Sequence, residues 1–190
     1  MGLALLALSA TIAITPIVAA LDSGPGSVLS VSQSDWEAFN ASVSGRLHNG
    51  APLLAPCYKI FNRKEQAADT QQCTALQQSR DDAVFVSGQF GGYQQLNWAG
   101  CQATGDNCAM KITVPDSTLA TGPCLQGSVS RRYVDARGVD DVQKTLRFAS
   151  DNGLRLVVKN TGHDYLGRSS APDSFGLWYF GSCMHYCCCC

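Results

Sequence analysis

The run from Val129 to Trp178 constrains the fold more than any other part of the chain. Arg131–Ala136 is a strand candidate. Asp140 and Asp141 then open a helix, where negative charge suits the positive end of the dipole. Val139, Val142, Leu146 and Ala149 give that helix an apolar stripe, and Asn152-Gly153 ends it. Leu154–Lys159 is a compact, partly β-branched strand, and Phe175–Phe180 reads as the next one. Strand, helix and strand within about thirty residues form a β-α-β unit or its antiparallel counterpart. The fold class expected is α+β with a mixed sheet and an N-terminal helix packed nearby.

Between the last two strands lies NTGHDYLGRSSAPDS, residues 160–174. Gly162 and Gly167 let the backbone turn tightly and approach a ligand. Successive N–H groups in such a turn form a concave anion site. Arg168, Ser169 and Ser170 add donors that suit phosphate. His163 and Asp164 sit in the middle. On composition alone this is a phosphate-binding loop or an ordinary polar loop.

Upstream the pattern is looser. Ser34-Asp35-Trp36-Glu37 has the spacing of a capping box. Trp36, Phe39, Val43 and Leu47 continue one apolar stripe, and His48-Asn49-Gly50 supplies a helix stop, with His48 as a helix-end residue. A polar helix is expected around Ala67–Gln78 and a short strand at Ala83–Ser87. Gly88-Gln-Phe-Gly91-Gly92 lacks the spacing of a dinucleotide fingerprint and reads as a turn. Cys101, Cys108 and Cys124 are expected to staple the Gly88–Gly127 region.

Residues 1–20 are mostly apolar, carry no charge and close on Val18-Ala19-Ala20, the pattern of a secretory signal peptide. Secretion would place Cys57, Cys73, Cys101, Cys108 and Cys124 where disulfides persist, with the pairing open, and would make Asn40-Ala41-Ser42 a glycosylation sequon. Five of the ten cysteines crowd the end of the chain, at 183 and 187–190. Such a tail resembles a mis-spliced or frame-shifted end rather than a metal site. Lys+Arg number 14 against 15 Asp+Glu. That balance offers no basic surface for nucleic acid, and no membrane partner is expected once the signal is cleaved.

The segment Cys124-Leu-Gln-Gly127 together with YVDARGVDDVQKTLRFASDNGLRLVVKNTGHDYLGRSSAPDSFGLW resembles the flavin-binding module of the vanillyl-alcohol oxidase/p-cresol methylhydroxylase (PCMH) superfamily, in its secreted berberine-bridge-enzyme-like branch. The dense match runs from about Cys124 to Trp178, and a looser one covers Cys57–Cys124, including Asn97-Trp98-Ala-Gly-Cys101. The resemblance implies a partial PCMH-type FAD-binding domain, β-α-β-β, whose strand–loop–strand segment wraps the FAD pyrophosphate. It implies that Asn160, Thr161, Gly162, Asp164, Gly167, Arg168 and Ser169 line that loop. His163 would stand where the family bonds the flavin 8α-methyl group covalently. It implies an oxidoreductase that moves hydride from a small-molecule substrate to flavin and returns the electrons to O2 as H2O2.

The chain divides on this reading into a signal peptide (1–20), a helical, disulfide-stapled N-terminal region (21–123), the first part of the FAD-binding domain (124–178) and an aberrant cysteine-rich tail (179–190). Family members are more than twice as long. Expected, then, is an N-terminal portion of an oxidase, truncated before its substrate domain, that holds FAD poorly by itself and has no turnover. No catalytic residue and no metal ligand is assigned. Two other readings stay open: a secreted remnant or binding module without flavin, and a small cysteine-rich secreted protein whose tail binds metal.

Overall fold

A computed structural model describes residues 26–108 and 122–181. Residues 1–25, which hold the expected signal segment, residues 109–121, and residues 182–190, which hold the cysteine-rich tail, lie outside the described residues.

In chain order the elements are α1 (Gln33–Ser42), β1 (Leu47–Asn49), β2 (Ile60–Phe61), β3 (Lys64–Glu65), α2 (Thr70–Ser79), α3 (Ala83–Ser87), β4 (Arg132–Asp135), α4 (Val139–Asp151), β5 (Leu156–Lys159) and β6 (Phe175–Trp178). Four strands form one sheet in the order β1-β4-β6-β5. β4, β6 and β5 run parallel and β1 is antiparallel to β4, so the sheet is mixed and the fold is α+β. The crossover from β4 through α4 to β5 is of the parallel kind. It leaves a gap of one strand, which β6 fills.

Strand alternation assigns the two faces. Val134, Phe175 and Leu177 point to one side and meet Trp36, Phe39, Val43 and Ala149 of the helical layer in one buried core. Phe148 stacks on Phe39 at 4.2 Å between centroids, and Phe175 stands edge-on to Trp36 at 5.3 Å. Tyr133 and Trp178 point to the other side, where Phe90 stacks on Tyr133 at 3.7 Å. The turn around Gly91-Gly92 therefore packs on the sheet face opposite α1 and α4.

Several local expectations are corrected. Ser32, not Ser34, caps α1, its hydroxyl accepting from the Asp35 N–H at 3.1 Å. The helix stops at Ser44-Gly45, both at positive φ. Leu47 and His48 consequently belong to β1, and His48 is a strand residue opposite Tyr133 rather than a helix end. Ala83–Ser87 is helical, not extended. The Asp82 carboxylate accepts from the N–H groups of Val84 and Phe85, and that cap outweighs the strand preference of Val and Phe. On α4, Val139 and Leu146 are exposed, while Asp141 and Thr145 are buried. The Asp141 carboxylate pairs with Arg46 and accepts from the Arg137 N–H, and Thr145 bonds back to the Asp141 carbonyl. The buried face of α4 thus runs through Asp141, Thr145 and Ala149, turned from the expected stripe toward an ion pair with the segment before β1.

Among the described residues, the disulfides are Cys57–Cys73 and Cys108–Cys124. Both lie in a second core with Ala55 and Tyr58. Cys101 is buried and unpaired as a thiol, so it staples nothing.

Candidate functional site

The bend after β5 is held by residues far away in sequence. Trp178 Nε1 donates to the Asn160 carbonyl at 2.9 Å and the Gln94 N–H to the Gly162 carbonyl at 3.3 Å. The Tyr93 hydroxyl donates to the Ser169 carbonyl at 3.3 Å, and Ser170 Oγ to the Trp98 carbonyl at 2.7 Å. Gly167 (φ +71°) lies on the Trp98 ring so closely that a Cβ there would fall 2.6 Å from it. Gly162 (φ +78°) is pressed between Gly92 and Lys159. A Cβ at 162 would stand 2.9 Å from the Gly92 carbonyl oxygen and 2.9 Å from Lys159 Cε. Both positions require glycine on two counts, conformation and space.

Asp164 shapes the middle of the bend. Its carboxylate accepts from the N–H groups of Leu166 and Arg168 and from the Arg168 guanidinium. The Arg168 side chain, then these backbone donors, hold it below the usual carboxylate range despite some desolvation. The carboxylate is committed to Arg168, not to His163. His163 itself is exposed, its ring edge-on to Tyr165 at 5.1 Å.

Beside the bend lies an open cavity of about 430 Å³. Asn160, Thr161, Gly162, His163, Asp164, Arg168 and Ser169 line it, with the Leu156–Val158 stretch of β5. Gly167 is the one anticipated loop residue outside the lining; its role is to seat the loop on Trp98. Among the described residues, the N–H groups of Thr161, Gly162, His163 and Asp164 donate to no other group. Four consecutive free donors, a neutralised carboxylate and a guanidinium beside an open cavity suit an anion, and a diphosphate matches the length of the run. The residues present therefore fit the group that the resemblance implies.

Lys159, Tyr93, Gln94, Trp98 and Trp178 escaped the sequence reading. Lys159 ends β5 fully buried, and its Nζ donates to the Gln89 carbonyl at 3.0 Å. The Asn97-Trp98 pair lay within the looser resemblance, but nothing in its pattern connects it to residues seventy positions later.

No protein-family model matches the chain. Among curated proteins, it is 37% identical over 156 residues to FAD-linked oxidoreductase cheF of Chaetomium globosum, covering 81% of this chain and 25% of that one. It is 38% identical to FAD-linked oxidoreductase easE of Trichophyton verrucosum, covering 77% and 23%. The chain spans about a quarter of the length of the curated relatives it matches. Among solved structures, the VAO-type flavoprotein MtVAO615 of Myceliophthora thermophila C1 superposes with a TM-score of 0.61 at 30% identity, over 81% of this chain and 26% of that one. A second VAO-type flavoprotein of the same organism, MtVAO713, gives 0.61 at 28%. In sequence and in backbone trace alike, the chain is similar to about a quarter of the length of FAD-linked oxidoreductases and VAO-type flavoproteins.

Proposed function

We propose that this chain is the diphosphate-binding part of an FAD-linked oxidase of the berberine-bridge-enzyme-like kind. The observation that carries the reading is the run of four unengaged N–H groups, Thr161–Asp164, beside an open cavity. These amides, with Arg168 and Ser169, would hold the diphosphate. His163, exposed on the same bend, would carry the covalent link to the flavin. When bound, FAD supplies a hydride acceptor for a small-molecule substrate and passes the electrons to O2. The chain's own contribution is binding and orientation: Trp98, Tyr93 and Gln94 fix the bend before any ligand arrives, which lowers the ordering cost of binding.

At a quarter of its relatives' length, the chain alone is proposed to bind FAD weakly and to have no turnover. We also propose export to an oxidising compartment, which suits the expected leader and the two disulfides.

The test is a titration of FAD fluorescence with the purified chain. Wild type is expected to bind saturably. Gly162→Val, which drives a side chain against the Gly92 carbonyl, is expected to bind at least about tenfold more weakly with unchanged circular dichroism, a loss of roughly 1.4 kcal/mol or more. The chain alone is expected to release its flavin on acid precipitation; stoichiometric flavin retained on His163 would overturn the reading that it holds FAD poorly. Equal affinity of wild type and Gly162→Val would remove the bend from the binding site.

A further inference from the structure

Lys159 is sealed under the bend and, among the described residues, has no carboxylate partner. Its Nζ has one hydrogen-bond acceptor, the Gln89 carbonyl, and three rings around it: Tyr93 at 5.3 Å, Trp178 at 5.4 Å and Phe90 at 5.8 Å. Gly162 lies directly on its stem. The four free N–H groups begin at the neighbouring Thr161. A methionine would fill the same space and suit the strand better, because a buried charge without a partner is destabilising. A mere strut to Gln89 would work as well with a neutral amine.

We propose that Lys159 is the positioning cation of this bend: an anion resting on the Thr161–Asp164 amides holds Lys159 as an ammonium, so that binding a dinucleotide diphosphate takes up a proton. The proposal rests on the reading of the bend as a diphosphate cradle. The aromatic cage favours the charged form once an anion offsets the desolvation. In the free chain burial alone pulls the amine down to about 7. Above that pH the free chain carries a neutral amine, and the bound chain a charged one. Affinity therefore falls as pH rises through the window above 7, and is level below it, where both forms are charged.

The other groups facing this site do not produce that window. From the Gly91-Gly92 turn comes Tyr93, whose phenol burial pushes up, so it stays neutral. From β4 come Tyr133, also pushed up by burial and by Asp135, and Asp135, paired with Arg137. From the bend come Asp164, paired with Arg168, and His163. His163 lines the same cavity, so the measurement is made on a His163→Gln background.

The experiment is calorimetric titration of FAD, and of ADP as a flavin-free probe, into the full chain between pH 7 and 9, in Tris and in HEPES. With Lys159 present, affinity is expected to fall by up to about tenfold per pH unit, with up to one proton taken up per ligand. Lys159→Arg keeps a permanent charge, and is expected to bind with no proton uptake and a flat profile. Lys159→Met is expected to bind weakly at every pH. Binding that is retained but takes up no proton in the Lys159 chain overturns the proposal and leaves the cradle standing. Failure of both ligands to bind at any pH overturns the cradle, and this proposal with it.

Discussion

Replacing Phe175 by alanine is expected to cost about 3–5 kcal/mol, the range for deleting a buried aromatic ring. Phe175 is fully buried on β6, the strand between β4 and β5. Its ring meets Trp36 at 5.3 Å and Phe39 at 5.7 Å, so it joins the sheet to α1. For a chain of this length the loss corresponds to a fall in Tm of roughly 10 °C. The half-exposed Val158 on neighbouring β5 is the control; its replacement by alanine is expected to change stability by less than about 0.5 kcal/mol. Thermal unfolding of both variants decides the matter. A Phe175→Ala loss below about 1 kcal/mol would mean that the core does not close across β6.

Loss of either disulfide is the second large effect. Each closes a loop of sequence separation 16. Chain-entropy arguments give about 3 kcal/mol for a loop of this size. Both bonds lie in the same small core, whose other buried members are Ala55 and Tyr58, so little apolar burial stands in for a lost link. The consequence extends toward the site. Cys124 exchanges backbone hydrogen bonds with Ile60 and Asn62, and four residues on, Ser128 accepts from the Ala171 N–H at the end of the bend. Cys57→Ala/Cys73→Ala and Cys108→Ala/Cys124→Ala are each expected to shift the denaturant midpoint by the equivalent of about 3 kcal/mol. The second pair is also expected to weaken FAD binding. A double variant within about 1 kcal/mol of wild type would show that its bond adds nothing to this core.

The elements legible in the sequence were those whose pattern is local. The α4 boundaries and the β5 and β6 strands follow from Asn152-Gly153, from β-branched runs and from the acidic first turn. The bend was legible because its glycines and donors are contiguous. What failed did so where distant residues override local preference. Asp82 turned Ala83–Ser87 into a helix. Arg46, ninety-five residues upstream of Asp141, changed which face of α4 is buried. The support of the bend by Tyr93, Gln94 and Trp98 was invisible for the same reason, since each acts only through contacts across some seventy residues of chain. Lys159 looked like the ordinary polar end of a strand, and only its burial beneath Gly162 distinguishes it.

The account depends on the Thr161–Asp164 amides receiving a diphosphate. The direct measurement is a 15N–1H correlation spectrum of the labelled chain as FAD is added. The account predicts saturable shifts concentrated at Thr161, Gly162, His163 and Asp164, reproduced by ADP at the same amides. Shifts scattered over the surface, or clustered elsewhere while these four amides stay still, would contradict it.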